Sequence, residues 1–133
     1  MAMRHWVIVL AILAIILATS QAVVPSDTFE GYVTSQGYPV ESHWATTEDG
    51  YILGLFRMPS KTKNAPVVLL QHGILASAWC WVINDKNHTP AFQLWELGYD
   101  VWLSNSRGND FSLNHTHLSA DSDAFWDFTF EQM

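Results

Sequence analysis

The chain opens on one unbroken apolar run, Trp6 to Ala18 (WVIVLAILAIILA), and then breaks into shorter apolar blocks separated by polar, glycine-bearing or proline-bearing turns. Val23 to Gln36 is mixed and predicts irregular structure. Gly37-Tyr38-Pro39 marks a turn. Val40 to Thr47, rich in β-branched and aromatic residues, predicts a strand. Glu48-Asp49-Gly50 supplies turn chemistry, and Tyr51 to Met58 (YILGLFRM) predicts the second strand of a hairpin. After the polar connection Lys61 to Pro66, Val67 to Gln71 is a continuous apolar run bounded by Pro66 and Gly73. That pattern predicts a strand buried on both faces of a parallel sheet. A loop of mixed character follows through Asn87. Thr89 can cap a helix with Pro90 at its first position. Phe92, Leu94, Trp95 and Leu97 give it an apolar face, and Gly98 ends it. Tyr99 to Leu103 (YDVWL) predicts a short buried strand. The strand–helix–strand unit reads as a right-handed βαβ crossover, and Asp121 to Met133 as the approach to a further helix. The pattern contains no repeats and no low-complexity linker.

The fold class is therefore α/β, an antiparallel hairpin leading into a parallel βαβ sheet. The chain has 133 residues, whereas a parallel sheet covered on both faces usually needs about twice that length, so the fold is expected to be incomplete. The opening run carries the marks of a signal peptide. Arg4 precedes it, and Ser20 and Ala22 stand at the −3 and −1 positions for cleavage after Ala22. This divides the chain into a signal over residues 1–22 and one partial α/β domain over 23–133. The charge-free stretch reaches Ser26, so an uncleaved membrane anchor is the alternative. Either way the remainder enters the secretory pathway. Two sequons, Asn87-His88-Thr89 and Asn114-His115-Thr116, are glycosylation candidates there, the first made poorer by Pro90. The net charge is −7 and the six Lys+Arg are scattered, which leaves no footprint for nucleic acid. A single cysteine, Cys80, excludes a disulfide within the chain. With no cationic neighbour in Trp79-Cys80-Trp81, it reads as a buried, inert thiol. Trp79, Trp81, Trp95, Trp102 and Trp126 read as core.

Three motifs could carry chemistry. Gln71-His72-Gly73-Ile74-Leu75 directly follows a predicted buried strand. A sharp turn at such a strand end can leave backbone N–H groups free to cradle an oxyanion. In α/β-hydrolases an N–H from this loop forms half of the oxyanion hole, with His72 holding the loop through its ring. The other reading is an ordinary strand-to-loop turn. Ser104-Asn105-Ser106-Arg107-Gly108 follows YDVWL and looks like a nucleophile elbow. However, the only downstream histidines are His115 and His117, and only Asp110 lies between them and Ser106, which leaves no room for separate strands to deliver the partners. The expected reading is a tight loop with Arg107 paired to a nearby carboxylate. His115 and His117, near Asp121 and Asp123, match no zinc spacing and read as a solvated loop. No cofactor or metal site is expected.

These residues resemble the acid lipase family of gastric, lysosomal and insect lipases. The blocks that carry the resemblance are Gly37-Tyr38-Pro39-Val40-Glu41 with Thr47 to Leu53 (the lipase-associated region, about residues 30–90), Gln71 to Ser77, Gly98 to Leu103 with Asn105 to Asn109, and Phe125 to Met133. The resemblance implies an α/β-hydrolase fold and a serine ester hydrolase acting on triacylglycerol or cholesteryl esters, in an extracellular space such as the gut lumen or in a lysosome. Its partners would be a lipid ester substrate in a full-length parent and a peripheral lipid interface. It implies that Ile74 is an oxyanion donor through its backbone N–H, supported by His72 and Gly73. The family's nucleophile lies in a Gly-His-Ser-Gln-Gly motif beyond Met133. Its Asp, its His and the second oxyanion donor are likewise not among these 133 residues. In the family the loop at Ser104 usually begins with glycine, and its serine is not the nucleophile. The chain is thus expected to be the N-terminal portion of such a lipase. The rival is a non-catalytic lipid- or protein-binding product of a truncated lipase gene.

Overall fold

A computed structural model describes residues 27–133, so the expected signal lies outside the described residues. The elements run α1 (Phe29–Ser35), β1 (Glu41–Thr46), β2 (Tyr51–Met58), β3 (Val67–Leu70), α2 (Pro90–Glu96), β4 (Asp100–Ser104) and β5 (Asn114–His115). Short 3₁₀ turns stand at Ala78–Trp81, Lys86–His88, Asp123–Trp126 and Phe130–Gln132. Among the described residues no helix is long and apolar enough to cross a membrane.

The sheet order is β1-β2-β4-β3, with β5 paired to β2. β1 and β2 form the expected antiparallel hairpin, Glu41 opposite Arg57 and Thr46 opposite Ile52. β2 pairs antiparallel with β4, and β4 parallel with β3. The sheet is therefore mixed, as expected for the N-terminal region of an α/β-hydrolase. The connection from β3 through α2 to β4 realises the expected strand–helix–strand unit.

Alternation along the strands sets the core. Phe56 and Met58 of β2 and Val101 and Leu103 of β4 are buried on one face, with Val68 and Leu70 packed against them. Both helices cover this same face. Phe29 of α1 stacks on Phe56 at 4.0 Å, and Phe92 of α2 stacks on Tyr38 at 4.1 Å. Both helices end on a glycine in the left-handed region. After α2, Gly98 (φ +94°) gives its N–H to Trp95 and Tyr99 gives its N–H to Leu94. Gly37 (φ +88°) and Tyr38 do the same for α1, to Thr34 and Val33.

Several expectations are corrected. Phe29–Ser35 is a helix rather than irregular chain. The Thr28 hydroxyl caps the Gly31 N–H, and Phe29 and Val33, one turn apart, bury the same side. Strand β3 is not buried on both faces: Val67 is 68% exposed and Leu69 58% exposed. Among the described residues it is an edge strand, and both helices lie on the opposite side of the sheet. Thr89 stands at the start of α2, but its hydroxyl donates to the carbonyls of Asn84 and Asp85 instead of capping the helix. Leu97 is exposed. The tail beyond Asp121 forms 3₁₀ turns at Asp123–Trp126 and Phe130–Gln132, the second opened by a capping box between Thr129 and Gln132. Cys80 is exposed, because Ala78 is the residue of its 3₁₀ turn that points inward; partial desolvation still pushes its thiol up. Trp95 is core and Trp79 and Trp81 pack against the core, but Trp126 is 47% exposed and Trp102 lies half-buried in the outer rows of the sheet.

Candidate active site

The two parallel strands β3 and β4 end side by side, and a cleft of about 520 Å³ opens beyond their carboxyl ends. Its walls are the turn after β3 (His72 to Ser77), the loop after β4 (Ser106 to Asp110), and Trp126, Phe128 and Met133 from the tail. The carboxyl ends of parallel strands are where α/β folds place ligands, since loops there can be shaped without disturbing the sheet.

The first wall is built from a tight turn. Ala76 N–H bonds to the Gly73 carbonyl at 3.2 Å, and Leu75 takes φ +61°. This is the type II pattern, whose third residue is usually glycine. Leucine in that conformation is strained by about 1–3 kcal/mol, and such strain collects at functional sites. The Ile74 and Leu75 N–H groups have no hydrogen-bond partner among the described residues, and both residues are exposed. The turn thus places N–H donors that are free among the described residues at the end of a parallel strand, beside a cleft.

The His72 ring joins this turn to the second wall. Nε2 lies 3.1 Å from the Ser106 backbone N–H and 3.1 Å from Asn109 Nδ2, while Nδ1 lies 2.7 Å from the Gly73 carbonyl. These partners set the tautomer. Nε2 accepts, so the proton sits on Nδ1 and is donated to Gly73. The second wall is a tight turn of the same kind. Asn109 N–H bonds back to the Ser106 carbonyl, and the third residue, Gly108, has φ +82°. A Cβ at Gly108 would stand 2.8 Å from the Trp126 ring, so glycine is needed there twice over.

Ser106 is not arranged as a nucleophile. Its Oγ accepts from Gln71 Nε2 at 3.0 Å, and the neighbouring imidazole is committed to the Ser106 main chain. Ser106 is also not among the described non-glycine residues with positive φ. Arg107 behaves as the sequence suggested, paired in a two-pronged contact with Asp49 (Nη1–Oδ2 2.6 Å, Nη2–Oδ1 3.2 Å). His115 uses Nε2 toward the Asp49 carbonyl and Nδ1 to accept the N–H groups of His117 and Leu118.

Sequence reasoning missed the polar frame beneath the cleft. Asn105 is 1% exposed; its Oδ1 accepts from Ala78 N–H and Asn109 Nδ2, and its Nδ2 donates to the Gly54 carbonyl. Ser112, fully buried, accepts the Gly54 N–H and donates to the Asn105 carbonyl. Buried polar groups satisfied this fully fix one arrangement of the loops they join. The signal that could have found them is positional. Asn105 follows its buried strand as His72 follows the neighbouring one.

The fold and the cleft define this chain as the N-terminal region of an α/β-hydrolase. Residues 29–85 match the family model described as the partial alpha/beta-hydrolase lipase region. Rat gastric triacylglycerol lipase is 48% identical over 107 residues, which cover 76% of this chain and 27% of that protein. Human gastric triacylglycerol lipase is 49% identical over 107 residues, with the same coverage. Mouse lipase member K is 42% identical over 141 aligned positions, covering 89% of this chain and 35% of that protein. The expected resemblance to gastric and related lipases is thereby borne out over most of the described residues. It spans about a quarter of the length of the gastric lipases it matches.

Proposed function

We propose that this chain is the oxyanion-bearing N-terminal part of a secreted or lysosomal acid lipase that hydrolyses carboxylic esters of lipids, triacylglycerol or cholesteryl esters. The observation that carries the reading is the pair of unpaired N–H groups at Ile74 and Leu75, strained into a turn at the end of β3 and open to the cleft. In this role the Ile74 N–H is one of two donors to the tetrahedral oxyanion. Gly73 lets the backbone come close, and His72 holds the turn against the loop after β4. The nucleophile, its acid and base and the second donor would come from chain beyond Met133. The apolar wall of Leu75, Trp126, Phe128 and Met133 would face the acyl part of the substrate or a lipid surface. The test is turnover of a triacylglycerol emulsion and a short-chain nitrophenyl ester by the full-length gene product at about pH 5 and about pH 7. Expected is hydrolysis abolished by a fluorophosphonate and retained in Ser106→Ala. Folded protein that binds lipid vesicles without turnover at either pH favours the non-catalytic rival.

Localisation belongs to the same proposal. Cleavage after Ala22 should leave a mature, secreted chain that begins at Val23, and Asn87 and Asn114, both exposed, are available to carry glycans. N-terminal sequencing and glycan removal on protein from a eukaryotic secretory host check both. An intact Met1 on membrane-bound protein contradicts the cleaved signal.

A further inference from the structure

Arg107 lines the cleft, yet its charge is turned away from it. The residue is 7% exposed, and its guanidinium lies 4.1 Å over the Tyr51 ring and 5.7 Å from the Phe128 ring while both prongs hold Asp49. Asp49 belongs to the turn of the β1–β2 hairpin, far along the chain from the loop it grips. Thr47 donates its hydroxyl to the same carboxylate, and His115 of β5 bonds to the Asp49 carbonyl. Gly50, at φ +98°, has Thr116 and His115 so close that a Cβ would meet Thr116 Oγ1 at 2.5 Å. The hairpin turn, β5 and the loop after β4 are thus tied at one point.

Arg107 is also the second residue of the Ser106–Asn109 turn, between the two groups that engage His72 Nε2. A shift of Arg107 must therefore move the Ser106 N–H and the Asn109 amide, and with them the ring that holds the oxyanion turn. We propose that Arg107 is a positioning residue, and that its clamp on Asp49 and Tyr51 fixes the Ser106–Asn109 turn and, through His72, the aim of the Ile74 N–H. The kinetic side of this inference rests on the lipase reading; the clamp itself does not.

The clamp should persist in mild acid. The titratable and charged groups that face Asp49 are Arg107 from the loop after β4, His115 from β5 and Tyr51 at the head of β2. The Arg107 hydrogen bonds, then the Thr47 hydroxyl, hold the Asp49 carboxyl down to about 2. A carboxyl lowered on folding contributes stability that is fully present above its unfolded value of about 3.9 and lost as pH falls through its folded value. The clamp should therefore still be closed at about pH 3, where an ordinary aspartate is mostly protonated.

The test uses Arg107→Lys, Asp49→Asn and Asp49→Glu in the full-length gene product. Lysine keeps the charge but loses the fork and the flat stacking surface. Expected for Arg107→Lys and Asp49→Asn is a kcat about 10- to 100-fold lower with KM within about twofold, the usual consequence of misplaced catalytic groups. Asp49→Glu, which keeps a carboxylate, should restore part of the loss. Hydrogen exchange gives a readout that does not depend on turnover. The Gly108 and Ser112 amides, bonded to Ser112 and Asn109 carbonyls, should exchange about tenfold faster or more in Asp49→Asn than in wild type, at about pH 3 as at about pH 6. Asp49→Asn, at a half-exposed side chain, carries the test where Arg107→Lys lowers the yield of folded protein. Unchanged exchange at these amides, unchanged kcat, or a change confined to KM overturns the proposal. A wild-type protein without turnover removes the lipase reading and leaves the exchange result to decide the clamp.

Discussion

Ile74→Pro in the full-length gene product is expected to lower kcat roughly 10²–10³-fold, the usual cost of losing one oxyanion donor. The substitution is unusually clean at this position. Ile74 is the second residue of the Gly73–Ala76 turn, where proline is favoured, and its N–H makes no hydrogen bond among the described residues. Gly73 before it is the residue type least troubled by a following proline. Ile74 is 63% exposed, so little packing changes. Stability should therefore be nearly unaffected while turnover falls, and Ile74→Val, which keeps the N–H, should stay within a few-fold of wild type. Normal turnover in folded Ile74→Pro protein removes Ile74 from the oxyanion hole.

The second large effect is expected at Gly54, on strand β2 beneath the cleft. A Cβ on Gly54 would stand 2.4 Å from the Phe111 carbonyl oxygen, a backbone atom that cannot swing aside. The Gly54 N–H and carbonyl also bond to Ser112 and Asn105. Gly54→Ala must push the loop after β4 off strand β2 or break those bonds. Overpacking of this kind costs about 1–3 kcal/mol, and each buried hydrogen bond lost adds about 1–3 kcal/mol. A free energy of unfolding, from urea titration, lower by about 2–5 kcal/mol, together with reduced kcat, is the expected pair of results. A Gly54→Ala protein as stable as wild type would show that the polar frame does not hold the loop.

Much of the fold was legible because local signals and tertiary packing agree. Glu48-Asp49-Gly50 between two β-rich runs became the hairpin turn, and Gly98 became the helix end that its position promised. The misses have separate physical causes. Helix α1 is seven residues long with a glycine inside it, too short for a periodic apolar face to stand out, and it is held by the Thr28 cap and the aromatic stack on Phe56. The apolar run of β3 could not reveal that both helices would lie on one side of the sheet. Hydroxyl and thiol positions failed for a similar reason: the partners of Thr89 and the exposure of Cys80 depend on how a loop of mixed character folds back. The strand-to-loop motif singled out as candidates His72 and Ile74, which line the cleft, and the Arg107 ion pair was expected without its partner. Asp49, Asn109 and Ser112 could not be singled out, because common polar residues acquire their roles only when Arg107, His72 and Gly54 are brought within reach.

The most direct measurement is the structure of the full-length protein after reaction with a fluorophosphonate, whose phosphoryl oxygen stands where the oxyanion forms. The account predicts that oxygen within about 2.7–3.1 Å of the Ile74 backbone nitrogen, with His72 still bonded to Gly73 and Ser106. An adduct on Ser106, or a phosphoryl oxygen out of reach of the Ile74 N–H, would contradict it.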